Sequence, residues 1–185
     1  MISRRDVTAT EQSIDGRTLA GYAAVYGQDS RTIFENGRQF TERIAPNAFS
    51  ETLASGADVK LFYNHDPSMP LARTRSGTLS LTSDRNGLAF TASLPETTLG
   101  NDVRALMQRG DLSGEMSFGF IVNRDSWNKN RTERIVESAQ LVEISIVQDA
   151  AYPQTSSSLR SVSAAAIEAA RLRLEIHFAR MNRHV

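Results

Sequence analysis

The sequence contains no cysteine. That removes disulfides, thiol nucleophiles and thiolate metal sites together. It also lacks net charge, with 21 basic against 21 acidic residues. A general binder of nucleic acid or of membrane surfaces has no basic excess to draw on here. No apolar run approaches the roughly 18 residues of a membrane span, and the opening MISRRDVTATEQ has no apolar signal core. Lysine is nearly missing: Lys60 and Lys129 stand against 19 arginines. No phosphate-binding glycine loop, dinucleotide fingerprint or cluster of metal-ligating residues occurs, so no cofactor and no metal are expected. A G-x-S-x-G elbow is missing too, since Gly114 stands one residue too far from Ser117. This disfavours an α/β-hydrolase.

What is present is an ordinary globular mixture, 40% hydrophobic and 23% charged over 185 residues. It fits one soluble intracellular domain with a short appendage. The pattern predicts a polar, mobile segment over 1–18, a body over 19–153, a serine-rich linker over 154–160 and an amphipathic helix over 161–185. From Arg160 onward five arginines face Glu168 and Glu175, so the tail carries +3 and the rest −3.

Within the body, strands are predicted at Leu19–Gly27, Phe40–Ile44, Val59–Tyr63, Thr78–Thr82, Leu88–Leu94, Met116–Val122 and Ile135–Val147. Residues 28–38 read as a loop closed by Asn36-Gly37. One helix is expected from Pro46 to Gly56, with Ala48, Phe49, Thr52 and Leu53 inward. A second is expected to be capped by Thr98 or Asn101 and to stop at Gly110, with Val103, Leu106 and Met107 buried. Short loops between strands predict a mostly β (α+β) protein: a curled, largely antiparallel barrel with two short helices and a C-terminal helix.

Three places carry residues capable of chemistry. Of the three histidines, His177 and His184 fall on the C-terminal helix and read as solvent-facing. His65 follows a buried strand in an Asn64-His65-Asp66-Pro67 turn; a plain turn histidine satisfied by Asp66 is the bland alternative. Ser117 lies opposite the apolar stripe of Met116, Phe118, Phe120 and Val122, with Gly119 beside it. The glycine is expected to let a substrate backbone approach. A serine needs a base within reach, and His65 is the body's one imidazole; the bland alternative is a small residue packed on a neighbouring strand. Glu143 and Ser145 alternate with Val142, Ile144 and Ile146. A carboxylate among apolar neighbours needs a partner: the histidine, or an arginine such as Arg73 or Arg75. Together His65, Ser117 and Glu143 have the residue types of base, nucleophile and orienter.

These segments, in this order, resemble the tailed-phage prohead proteases, capsid-maturation serine proteases of the herpesvirus-assemblin-like fold. The resemblance rests on Gly21-Tyr22-Ala23-Ala24-Val25-Tyr26, Ile44-Ala45-Pro46-Asn47-Ala48-Phe49, Asn64-His65-Asp66-Pro67 with Leu71-Ala72-Arg73-Thr74, Gly110-Asp111-Leu112-Ser113, Met116-Ser117-Phe118-Gly119-Phe120, and Leu141-Val142-Glu143-Ile144-Ser145 with Ala151-Tyr152-Pro153. The sequence departs from the family's Gly-Met-Ser run by one extra residue, Glu115. The resemblance implies that His65 is the general base, Ser117 the nucleophile and Glu143 the third member. It also implies a curled barrel and a serine endopeptidase inside the assembling prohead, in the cytoplasm of the bacterial host. Its expected partners are the major capsid protein, a scaffold segment and the protease itself, through autoprocessing and self-association by the C-terminal helix. Nucleic acid and membrane are not expected partners. The alternative from another class is a non-catalytic assembly or scaffolding factor on the same barrel.

Overall fold

The computed structural model describes residues 3–7, 13–35 and 37–148. Along the chain these form β1 (Ser3–Val7), β2 (Ser13–Asp15), β3 (Thr18–Val25), β4 (Ile33–Glu35), β5 (Arg38–Ile44), α1 (Ser50–Ala54), β6 (Lys60–Tyr63), β7 (Asp66–Arg73), β8 (Leu79–Ser83), β9 (Gly87–Ser93), α2 (Thr98–Arg109), β10 (Glu115–Trp127) and β11 (Glu133–Val147). The fold is mostly β, as expected, with a curled half-barrel sheet. The linker over 154–160 and the helix over 161–185, with His177 and His184, lie outside the described residues.

One sheet has seven strands and is built around β11; the other has four, in the order β2-β3-β9-β8. β10 and β11 pair antiparallel over most of their length, and β1 pairs with the other edge of β10. The remaining edge of β11 is shared. Its first residues pair in parallel with β5, through Glu133↔Thr41 to Val136↔Ile44. Its last residues pair in parallel with β6, through Glu143↔Lys60 to Ile146↔Tyr63. Between them α1 and the turn before it close the gap. The Ala139 N–H donates to the Ala48 carbonyl at 2.9 Å, and the Leu141 N–H donates to Thr52 Oγ1 at 3.0 Å. The middle of β11 therefore keeps its backbone satisfied without a neighbouring strand.

Both sheets contribute to one core. Leu19, Leu88, Phe90 and Ala92 come from the smaller sheet; Leu61, Met116, Phe118, Phe120, Ile144 and Ile146 come from the larger one. Phe118 stacks on Phe120 with ring centroids 5.3 Å apart, and Phe49 meets Phe118 edge-on at 5.8 Å. Of the inward face predicted for the first helix, Ala48, Phe49 and Thr52 are buried and Leu53 is partly buried. The Leu88, Phe90, Ala92, Leu94 stripe is buried. Gly110, at φ 80°, ends α2 in the left-handed conformation as expected, but Thr97, not Thr98 or Asn101, caps its start, and of the expected stripe Val103 is buried while Leu106 and Met107 are partly so.

Several expectations are corrected. Part of the segment expected to be mobile over 1–18 is strand, β1 and β2. The loop over 28–38 contains the short edge strand β4, whose Phe34 is 72% exposed. β7 was hidden by Pro67 and Pro70. Among the described residues it pairs only with β6, and an edge strand tolerates residues that cannot donate a ladder hydrogen bond. The first helix does not begin at Pro46: Asn47 has φ 63°, incompatible with a right-handed helix, and regular helix starts at Ser50. The sheet is largely antiparallel, but β11 takes two parallel neighbours, because β5 and β6 reach it from distant parts of the chain.

Candidate active site

Two long strands set the platform. The β10–β11 register places Ser117 opposite Ser145 and Gly119 opposite Glu143. Directly opposed residues of an antiparallel pair project to the same face, as do residues two apart on one strand. Ser117, Gly119, Glu143 and Ser145 therefore share one face, while Phe118 and Ile144 project to the other. Ser117 and Ser145 are fully buried, and Glu143 is 5% exposed.

The third element is the turn between β6 and β7. Tyr63 pairs with Asp66, leaving Asn64 and His65 as a two-residue loop, at φ 50° and 58°. Positive φ at both positions is the signature of a type I′ hairpin turn; asparagine and histidine are among the non-glycine residues that adopt it most readily. The turn is tied to β11 by the Asn64 N–H, which donates to the Ile146 carbonyl at 2.8 Å. Its conformation interrupts the alternation along β6 and carries the imidazole back over β11. There His65 Nδ1 lies 2.7 Å from Glu143 Oε1.

This contact answers the question of the partner for the buried carboxylate. Arg73 is ion-paired with Asp58 instead. Asp66 is not what satisfies His65: it accepts from the Ser68 hydroxyl at 2.6 Å and the Ser68 N–H at 2.8 Å. Those bonds, the hydroxyl's first, hold its carboxyl below the usual range. Glu143 also receives the Ser145 hydroxyl, which donates to Oε2 at 2.7 Å. With Oε1 accepting from Nδ1–H, the neutral imidazole carries its lone pair on Nε2 and is a base at that atom.

Gly119 has a different use from the one expected. A Cβ at this position would sit 2.7 Å from Glu143 Oε1 and 3.1 Å from its Cγ. The space beside Ser117 that was assigned to an approaching substrate is occupied by the carboxylate. The roles of Gly119 and Ser145 at Glu143 were not read from the sequence. The available signal was a second polar residue, two positions from Glu143, on an otherwise apolar strand. Among the described residues, no group of three or more His, Asp or Glu side chains is arranged to hold a metal ion.

A buried serine and a histidine–carboxylate pair carried by one curled sheet supply the residue types of a serine protease, and sequence comparison over most of the chain assigns the protein to that class. More particularly, the chain belongs to the caudovirus prohead serine protease family, whose sequence model matches residues 4–170. Among solved structures it is similar to the bacteriophage T4 capsid assembly protease, gp21. The identity is 13% and the TM-score 0.53, over 80% of this chain and 97% of that one. No curated protein matches the sequence significantly.

Proposed function

We propose that the chain is a serine endopeptidase of phage head maturation, cutting coat-protein or scaffold segments, and itself, inside the prohead. Family membership supports the class. The observation that carries the assignment of residues is the 2.7 Å contact between His65 Nδ1 and Glu143 Oε1, made above the strand face that also bears Ser117. In this reading Ser117 Oγ attacks the scissile carbonyl, forming the C–O bond as its proton passes to His65 Nε2. The imidazolium is stabilised through Nδ1–H by Glu143. Collapse of the tetrahedral intermediate breaks the C–N bond, and Nε2–H protonates the leaving amine. Water then repeats the sequence on the acyl-enzyme.

The test is incubation of the purified chain with its capsid-protein precursor, with fragments identified by mass spectrometry. Ser117→Ala and His65→Ala are each expected to lower kcat/KM by at least about 1000-fold without loss of fold. Because only the neutral imidazole accepts the serine proton, the wild-type rate should rise with pH through the histidine range, centred near about 6.5 in a free imidazole. Full activity of Ser117→Ala, or a rate flat across that range, would sink the assignment. An intact precursor under all conditions would favour the non-catalytic assembly role.

A further inference from the structure

We infer that Ser145 is a positioning residue for the proteolytic site: its hydroxyl fixes the Glu143 carboxylate so that Oε1 is held for His65. The inference rests on the reading of Glu143 as the third member of the triad. Three observations carry it. Ser145 is fully buried, so its hydroxyl has no bulk water to bond, and it donates at 2.7 Å to Oε2, the carboxylate oxygen that His65 does not use. Glu143 and Ser145 stand two apart on β11, with side chains on one face, so a rigid strand sets their separation. On the partner strand Gly119 leaves room for the carboxylate where any Cβ would collide with Oε1.

A glutamate side chain has three rotatable bonds, so the plane of its carboxylate is set by the groups that hold it. The bond from Ser145 supplies a second fixed point. It also gives a buried carboxylate oxygen a hydrogen-bond donor in place of water. Without it Oε2 loses a buried donor, and the orientation of the histidine tautomer loses its support. The Ser145 hydroxyl is given to Glu143, and in this scheme it acts through that carboxylate.

The experiment uses the full chain with Ser145→Ala, Glu143→Gln and the double variant. For the peptidase, Ser145→Ala should lower kcat by about 10- to 100-fold, the equivalent of one hydrogen bond to a charged group. KM should stay within about twofold, as expected when a transition-state interaction is lost. In the Glu143→Gln background the same change should have almost no further effect, because the two residues act as a unit. An unchanged kcat, or equal losses in both backgrounds, overturns the inference. A second measurement needs no turnover: the proton NMR resonance of His65 Nδ1–H, recorded in Ser117→Ala protein. The downfield signal of a proton held against a carboxylate should weaken or move upfield when Ser145→Ala is added, and persist with Ser145→Thr, which keeps the hydroxyl. If the resonance depends on Ser145 while no peptide is cut, the catalytic reading fails and the positioning role stands. If the resonance is indifferent to Ser145, the positioning role fails whatever the activity.

Discussion

At the scale of single residues, the site is decided by which partner each polar group finds. Glu143 had two kinds of cation available in the sequence, imidazole and guanidinium. Arg73 is engaged by Asp58, and His65 reaches the carboxylate. Gly119 matters for the same reason. It has ordinary extended backbone, so alanine is tolerable there by conformation, and only the contact with Glu143 opposes it. Gly119→Ala is therefore expected to fold but to melt below the parent, since the chain-entropy gain of about 0.4–1 kcal/mol does not offset the displaced, hydrogen-bonded carboxylate. The displaced carboxylate should also lower kcat/KM about as much as Glu143→Gln. Thermal melts beside peptidase rates check this; a Gly119→Ala protein of full activity would show that the carboxylate can shift without consequence.

At the scale of elements, turns do more than join strands. The Asn64–His65 turn needs positive φ at two non-glycine residues, each of which costs roughly 1–2 kcal/mol for an ordinary side chain. Its anchoring to Ile146 and the pairing of Tyr63 with Asp66 offset that cost. The β8–β9 turn shows a different device. Asp84 Oδ1 accepts from the N–H groups of Asn86 at 2.7 Å and Gly87 at 3.0 Å, and Oδ2 accepts from the Tyr22 hydroxyl at 2.6 Å. Partial burial works against the charged form, but these bonds outweigh it and hold the carboxyl below its ordinary value of 3.8. A carboxyl depressed in the folded state contributes stability that is fully present above the unfolded value and is lost as pH falls through the folded one. Asp84→Asn should thus melt below the parent at neutral pH, and the gap should close as pH falls below the ordinary carboxyl value of 3.8 and through the lower value of the folded state. Melting curves from pH 7 down to about pH 2 test it; a gap independent of pH would mean that the charge is not what closes the turn.

Over the whole molecule, β11 is the spine. It pairs with β10 on one edge and on the other meets β5, the α1 region and β6 in succession. The side chains that join the two sheets come largely from the strands flanking the site. Phe118 is one: it is fully buried, stacked on Phe120 and met edge-on by Phe49. Phe118→Ala should destabilise the fold by about 3–5 kcal/mol, the range for truncating a packed aromatic. Because both sheets share one core, the loss should appear as an earlier single transition in denaturant rather than as separate melting of one sheet. Two resolved transitions would show that the sheets are energetically independent.

The sequence by itself determined the strands with strong period-two patterns and the stop of α2, and it singled out His65, Ser117 and Glu143 as candidates for chemistry. Those signals are local: alternation of Leu88, Phe90, Ala92 and Leu94, glycine at 110, and polar Ser117 and Glu143 set among apolar neighbours. Tertiary structure alone decided the parallel pairing of β11 with β5 and β6, the strand hidden behind Pro67 and Pro70, and the short strands near the N-terminus. These depend on contacts between distant segments, which leave no local period. It also decided that His65, rather than an arginine, meets Glu143. A two-residue turn reverses the direction in which alternation would have sent the side chain, and the ladder register then fixes what lies beneath it. The role of Gly119 became visible last, because the absence of a side chain has meaning only once the atom that would collide with it is known.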